Sequence, residues 1–439
     1  MNYKFEKIEY IFRRNLFRET NIAFDCLDKI KINRVSKFNL LWEKTLLKSE
    51  FYRNYKKNNS LPSKIEKISD LEDFPVISKE DLRVNKEIIL KDYSNLPLIS
   101  TGGSSGEPFL FPFSKKDSIP DLANRFAARK KWCLNERPKT LKLWGHSNVF
   151  GAKFLDKIKY QQRRNITDFI SNQKTINAYI TDEGNMQIMY RSILKFKPKL
   201  LIGYTSTVKN LCLFIKKYNL SKAIIPLRLI VLTSENVDKE DINFIRKVFN
   251  CDVAIEYGLA ETGVVAYSFK KNTDLRIFQK SFIAFSHESQ LNLTCLDRIN
   301  SFPLIRYQTG DIIDKSKGEI SIIKSINGRT KEIINFKSLS GENLRFSVIG
   351  ITHILKSQQG IIAVQCHCDH NYFLKKINIS VDNNFMQSLQ DIRNYFYKEI
   401  KKELNENIDC NFFLIEFQEL YKLIKNKKGT MATLIKNKN

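Results

Sequence analysis

The sequence predicts an α/β protein: a large N-terminal domain with parallel-rich sheets and helices, followed by a small, mobile α+β C-terminal domain. Three observations carry the prediction. From about residue 195, apolar runs alternate with helical patterns: Leu200-Leu201-Ile202, then Val208, Leu211, Cys212 and Ile215, then Leu229-Ile230-Val231-Leu232, then a helix from Asp238 to Phe249, then Val253-Ala254-Ile255. Such a strand-helix-strand series builds parallel sheets, whose ligands bind beyond the carboxyl ends of the strands. Past residue 329 the pattern changes, with strands at Ile361–Val364 and Ile377–Val381, a helix carrying Leu389, Ile392, Phe396, Ile400 and Leu404, and a strand at Phe412–Ile415. The chain of 439 residues also exceeds one ordinary domain.

Residues 1–60 read as helical, with Ile8, Ile11, Phe12 and Leu16, then Phe38, Leu41, Trp42 and Leu46, recurring at helical spacing. The boundaries expected are 1–328 for the large domain, its helical segment reaching about residue 90, and 329–439 for the small one. An apolar content of 42% supports a sizeable core, and no uninterrupted apolar run reaches the length of a membrane span. Nothing at the N-terminus reads as a signal peptide, and eight scattered cysteines form no disulfide framework. A cytoplasmic protein, monomer or homodimer, without integral membrane association, is the expectation. The net charge of +26 comes from lysines spread along the chain, which favours ATP or an anionic surface over a nucleic-acid face.

Chemistry enters at Ser100-Thr101-Gly102-Gly103-Ser104-Ser105-Gly106-Glu107-Pro108. Glycine permits close backbone approach, Ser and Thr add donors, and together they can wrap an anion. No Gly-Lys-Ser/Thr opens a helix here, so the run joins two strands, the first containing Leu98-Ile99. Taken alone, an anion cradle and a flexible hairpin turn fit it equally.

Later motifs follow in fixed order. Ser49–Arg53 and Ile68–Arg83 precede the loop; Glu256-Tyr257-Gly258-Leu259-Ala260-Glu261-Thr262-Gly263, Phe302-Pro303-Leu304-Ile305-Arg306-Tyr307-Gln308-Thr309-Gly310-Asp311 and Gly328-Arg329-Thr330-Lys331 follow it. This ordered set resembles the adenylate-forming enzymes, in the branch of phenylacetate-coenzyme A ligase and the capsular-polysaccharide adenylate-forming proteins. The resemblance spans most of the chain, weakest in the first ~40 and last ~60 residues.

The resemblance implies ATP-dependent activation of a carboxylic acid as an acyl adenylate, with release of pyrophosphate and transfer to coenzyme A or to an amine or hydroxyl acceptor. It assigns Thr101, Gly102, Gly103, Ser104, Ser105 and Gly106 to the phosphates, and Ser234, Glu235, Glu256, Tyr257 and Gly258 to the nucleotide, with Tyr257 stacking on adenine. Glu261 is the implied Mg2+ ligand, since a hard carboxylate suits that cation. Asp311 would accept from both ribose hydroxyls, Arg329 would sit against ribose or phosphate, and Lys331 would be the hinge of the small domain. The acid pocket would draw on Trp144, His146, Tyr204, Leu259 and Ala260. Relatives carry a lysine in a Gly-Lys pair near the C-terminus; Gly429-Thr430 stands here, leaving Lys427 or Lys428 to substitute. If neither does, adenylation is expected to be slow or absent, and the alternative reading is a catalytically degenerate nucleotide-binding protein of the same fold. Cys366-His367-Cys368 is not read as a zinc site, because strand alternation sends His367 to the face opposite the cysteines.

Overall fold

The structure is a computed structural model describing residues 33–100, 110–132, 138–144, 164–169, 171–178, 183–220, 227–235, 239–269, 273–314, 318–329, 333–341, 343–347, 361–369, 373–381, 387–404, 410–414 and 432–436, with isolated positions between them. Two compact units emerge. The first holds the chain before Thr101, Phe109–Thr309 and Ile313–Ile326; the second holds Asn327–Asn439 with Gly310–Ile312.

At the N-terminal side, helices Arg34–Lys48 and Glu50–Asn58 break at Ser49, which caps the second by accepting from the Tyr52 amide. Their apolar faces pool aromatics: Phe38, Trp42, Tyr52, Phe74 and Phe302 lie within one core, with Trp42 edge-on to Tyr52 at 5.9 Å between ring centroids. The Tyr52 hydroxyl donates to the Pro303 carbonyl at 2.9 Å. Ile77 bridges Tyr307 in parallel, and the Arg306 side chain donates to the Phe74 carbonyl at 3.2 Å. The early signature and the start of the Phe302–Asp311 motif are therefore clamped together.

The Gly-rich run does join two strands, β1 (Leu98–Ser100) and β2 (Leu110–Pro112), paired antiparallel. Next come the helix Ser118–Lys131, β3 (Thr140–Leu143), β4 (Gln173–Ile176), the helix Glu183–Phe196 and β5 (Leu200–Tyr204). The helix Thr205–Lys217, β6 (Leu229–Thr233), the helix Lys239–Phe249, β7 (Asp252–Leu259), β8 (Gly263–Ser268) and β9 (Leu275–Ile277) follow. An antiparallel sheet then takes β10 (Phe282–His287), β11 (Gln290–Cys295), β12 (Tyr307–Ile313) and β13 (Gly318–Ile320), and β14 (Ile322–Ile323) returns to pair with β9.

The main sheet has eight strands in the order β14-β9-β8-β7-β6-β5-β3-β4, parallel from β4 through β7 and antiparallel beyond. Leu201, Ile230, Leu232 and Val253 face the helices Glu183–Phe196, Thr205–Lys217 and Lys239–Phe249; Ile202, Val231 and Ala254 face the other side, with Ala128 of the Ser118–Lys131 helix. One expectation is corrected. The apolar run ends this strand at Ile255, which leaves Glu256, Tyr257 and Gly258 to a loop after it; they lie instead within β7, because β8 pairs antiparallel with it out to Leu259 and extends it beyond its parallel neighbours.

Asp117 ties the start of the Ser118–Lys131 helix to the loop before the Phe302 motif. Its carboxylate accepts from the Ser301 amide at 2.8 Å and hydroxyl at 2.6 Å, and from Asn300 Nδ2 at 2.7 Å. Asp117→Ala strands these donors in a buried place, and is expected to lower stability by about 3 kcal/mol or more in denaturant unfolding; an unchanged midpoint would remove the carboxylate from that role.

In the second unit β15 (Ile326–Arg329) leads into a hairpin, β16 (Ile333–Lys337) with β17 (Asn343–Ser347). A four-stranded sheet follows in the order β20-β19-β18-β21, from β18 (Ile361–Cys368), β19 (Leu374–Val381), β20 (Asn411–Leu414) and β21 (Ala432–Lys436). The helix Leu389–Leu404 packs Ile392, Phe396 and Ile400 into its core, as the spacing predicts. The strand β21 falls in the tail that sequence composition leaves as Lys- and Asn-rich. Cys366 and Cys368 turn into the core while His367 meets Gln365 and Asn378 at 2.8 and 2.9 Å on the opposite face.

Candidate active site

The parallel strands end in register. Leu143, Gly203, Leu232 and Ile255 stand side by side, and Tyr204, Thr233 and Glu256 form the next matching row. The Trp144 ring continues that row, 5.0 Å from the Tyr204 ring. A Cβ at Gly203 would lie 3.0 Å from Val208 Cγ2 and 3.1 Å from Leu143 Cβ, so glycine lets the Thr205–Lys217 helix sit against the sheet where β5 ends. Just past β6, Ser234 has φ 67 and turns the chain back. Glu235 accepts from the Ser206 amide at 2.6 Å and hydroxyl at 2.9 Å, which sets a carboxylate on the positive end of that helix.

Beyond β7 the turn Ala260-Glu261-Thr262 is fixed from several sides. A Cβ at Gly258 would fall 2.4 Å from the Gly263 carbonyl oxygen, so the closing bulge tolerates only glycine. Gly263 takes φ 75, and a Cβ there would strike Asp121 Oδ1 at 2.5 Å; the same oxygen accepts from the Val264 amide at 2.6 Å. The Thr262 hydroxyl accepts from the Leu259 amide at 3.3 Å. Gly258, Thr262 and Gly263 thus hold the turn, and Glu261 is the residue of the motif that carries a carboxylate into it.

Glu261 is 7% exposed, and its Oε1 accepts from the Tyr307 hydroxyl at 2.8 Å. Its backbone carbonyl accepts from Arg298, whose guanidinium lies over the Phe111 and Phe113 rings at 5.2 and 4.9 Å and keeps Nη1 without a protein partner. Burial lowers the Arg298 pKa, opposed by the charges around it. A carboxylate, a phenol and a cation therefore converge at the end of β7. Asp311, 4% exposed, is on the buried side of β12 with Tyr307 and Thr309; Arg329 ends β15.

The expected residues thus divide. Trp144, Tyr204, Ser234, Glu235, Glu256, Tyr257, Gly258, Leu259, Ala260 and Glu261 lie on or just past β3, β5, β6 and β7. Thr101, Gly102, Gly103, Ser104, Ser105, Gly106, His146, Lys331, Lys427 and Lys428 lie outside the described residues.

Sequence reasoning missed Arg298, the role of the Tyr307 hydroxyl, and a group of cations. Arg125 and Arg129, one turn apart on the Ser118–Lys131 helix, and Lys142 of β3 act electrostatically on one another and on Glu256. The Lys142 ammonium rests over the Trp144 ring at 4.3 Å, and burial, then the charge of Arg125, push its pKa down to about 8. The two arginines at i and i+4, beside Ala127 and Ala128, were the available signal.

No family model matches the chain. It is 24% identical over 342 residues to Protein CapK of Staphylococcus aureus, covering 76% of this chain and 72% of that one. Its fold matches 2-hydroxyisobutyryl-CoA ligase in the postadenylation state in complex with 2-HIB-AMP, with a TM-score of 0.63 at 14% identity over 89% of this chain and 91% of that one. The same ligase in complex with 2-HIB-AMP and CoA in the thioesterification state matches with a TM-score of 0.57, covering 92% and 89%. The chain has the fold of the adenylate-forming ligases, a mixed α/β architecture with a parallel-rich main sheet and a C-terminal α+β unit, in line with the ordered motifs.

Proposed function

We propose that this chain activates a carboxylic acid with ATP. An acid oxygen attacks the α-phosphorus, the bond to the bridging oxygen breaks, and pyrophosphate leaves with that electron pair. In the second step a sulfur, nitrogen or oxygen nucleophile attacks the acyl carbon, AMP departs, and the nucleophile's proton passes to solvent or a nearby base. Coenzyme A is the acceptor favoured by the ligases of shared fold; an amine or hydroxyl on a surface-polysaccharide precursor is the other. The observation that carries this reading is Glu261, fixed with Tyr307 and Arg298 past the carboxyl end of β7 in a chain of this fold.

The residues fit a Mg2+ ion carried in with ATP. Tyr307 holds Oε1 of Glu261, leaving Oε2 for a hard cation, and among the described residues no group of three or more His, Cys, Asp and Glu forms a cage of its own. Such a cation ordinarily keeps phosphate oxygens and water as most of its ligands. When bound it neutralises charge on the leaving pyrophosphate. Arg298 adds positive charge at the same place, and Tyr307 fixes the carboxylate. Asp311 would accept from the ribose hydroxyls, and the backbone of Thr101 to Gly106 would supply donors to the phosphates. Cytoplasmic location is part of the same reading; among the described residues no helix is long and apolar enough to cross a membrane.

Pyrophosphate release with a panel of acids, followed by mass analysis of products with and without coenzyme A, tests the proposal. Thioester only with coenzyme A identifies an acid-thiol ligase. Nucleotide binding without pyrophosphate release from any acid would favour the non-catalytic reading, for which Thr430 in the expected lysine position speaks. The small domain has its own test. Lys331→Pro fixes φ at the proposed hinge and is expected to slow one half-reaction at least ~10-fold more than the other in single-turnover assays. Alanine at both Lys427 and Lys428 should slow adenylation alone; equal rates throughout would rule out a catalytic lid.

A further inference from the structure

The cations of the N-terminal helices take no part in the chemistry above. Where the helices Arg34–Lys48 and Glu50–Asn58 meet the loop that follows them, an open groove of about 730 Å3 is formed. Leu46, Leu47 and Leu61 give it apolar surface, Arg53, Lys56, Lys57 and Lys64 bring four cations to it, and Glu43 is the one carboxylate among its lining residues.

The second helix sets the charges. Arg53, Lys56 and Lys57 stand at i, i+3 and i+4, so they share one side of a helix whose other side is sunk in the aromatic core through Phe51 and Tyr52. Like charges at that spacing repel one another, and among the described residues none of the four cations forms an ion pair that would offset the repulsion. Their bonds go to neutral groups. Arg53 Nη1 donates to the Leu46 and Leu47 carbonyls at 3.1 and 3.2 Å, which closes the end of the first helix, and Lys56 Nζ donates to the Ser63 hydroxyl at 2.6 Å. Lys57 and Lys64 are exposed and hold no such bond.

The apolar part projects. On the first helix Phe38, Leu41, Trp42 and Thr45 are buried, while Leu40 is 46% and Leu47 77% exposed on the side turned away from them. Seven residues apart, the two leucines follow one stripe and stand about 10 Å from each other. A single exposed leucine is ordinary. Two in one stripe beside unpaired cations make the amphipathic pattern of a surface that lies on a bilayer.

We propose that this face docks on an anionic membrane surface: lipid phosphates meet Arg53, Lys56, Lys57 and Lys64, one headgroup sits in the groove, and Leu40 and Leu47 enter the boundary of the acyl chains. Charge complementarity selects the sign of the occupant, and the leucines select its kind. A single-stranded nucleic acid is met by aromatic platforms as well as cations, and no aromatic side chain lines the groove. An acidic protein segment would bring its own apolar side chains to a hollow, whereas Leu47 stands out from the surface. Docking of this kind is peripheral, and it uses none of the residues assigned to acid activation. The two readings therefore stand or fall separately.

The test uses the full chain and vesicles of phosphatidylcholine alone or with about 30% phosphatidylglycerol, bound protein being read by sedimentation. The wild type is expected to sediment with the anionic vesicles only, and to come off them as salt rises from about 0.05 to 0.5 M. Each cation near such a surface is worth about a fivefold gain in binding, so Lys57→Glu with Lys64→Glu should weaken it about 30-fold or more. Glutamine at both positions is the milder variant should the reversal fail to fold, as judged by thermal unfolding. Leu47→Gln should weaken binding about 5- to 10-fold through lost insertion. The same charge reversal at Lys239 and Lys247, exposed on the helix Lys239–Phe249, should change it less than about 2-fold. Equal binding to both vesicles, or to neither, overturns the proposal. So does an equal loss from the Lys239 and Lys247 reversal, which would leave only the overall charge of +26 at work. Wild-type affinity in Leu47→Gln would reduce the groove to an anion site and overturn the membrane, and capture by poly-glutamate with no binding to vesicles would give the groove to an acidic protein segment instead.

Discussion

Glu261→Gln is expected to lower acid-dependent pyrophosphate release about 100-fold or more, with the fold intact. The reasoning is local. Glutamine keeps an oxygen to accept from the Tyr307 hydroxyl, and the backbone carbonyl that Arg298 holds is untouched, so the turn after β7 retains its bonds. On the proposed acid activation, what would disappear is the negative charge offered to Mg2+ where pyrophosphate departs, and removal of one preorganised electrostatic partner of a transition state typically costs about 2.7–4 kcal/mol. Raising magnesium should recover part of the rate if the loss is one of metal affinity. Tyr307→Phe, which leaves the carboxylate charged but unsteadied, should cost less and leave the magnesium dependence nearly unchanged. A well-folded Glu261→Gln protein with wild-type rate and magnesium dependence would take Glu261 out of the reaction.

The parallel core was legible because each strand writes itself locally: Leu200-Leu201-Ile202 and Leu229–Leu232 are apolar runs that end at Gly203 and Ser234, and both faces are covered by helices. The strand β7 was legible only as far as Ile255, since its last residues are strand by virtue of β8, a partner whose alignment depends on Gly258 and Gly263 fitting one bulge. At the candidate site the motif order pointed to Glu261 but gave no hint of its neighbours. Arg298 reaches it from 37 residues away, and the Arg125–Arg129–Lys142 group joins a helix to a strand on the opposite side of the loop between them. Such juxtapositions leave no period in the sequence. The last strand of the four-stranded sheet, β21, was hidden for a related reason: Ala432–Lys436 is a short stretch with two adjacent large apolar residues in a Lys- and Asn-rich tail, and it is β18 alongside that makes it a strand.

Asp311→Ala is expected to weaken ATP binding about 10- to 100-fold, as calorimetric titration would read it, because in the proposed role truncation would leave two ribose hydroxyls without their charged acceptor, a loss of roughly 1.5–3 kcal/mol. Position on β12 favours a side chain held in one direction. Burial alternates through Tyr307, Thr309, Asp311 and Ile313, and the Thr309 hydroxyl donates to the Leu291 carbonyl at 2.9 Å. A buried carboxylate also serves its own strand, so a drop in affinity alone would not separate recognition from folding. Deoxynucleotides separate them. If Asp311 reads the ribose, the wild type must prefer ATP over 2′-deoxy-ATP, and Asp311→Ala must bind the two alike, since the group that told them apart is gone. A variant that binds ATP weakly yet still discriminates to the wild-type extent would have lost strand geometry rather than a ribose contact, and an unchanged affinity for ATP would remove Asp311 from the nucleotide altogether.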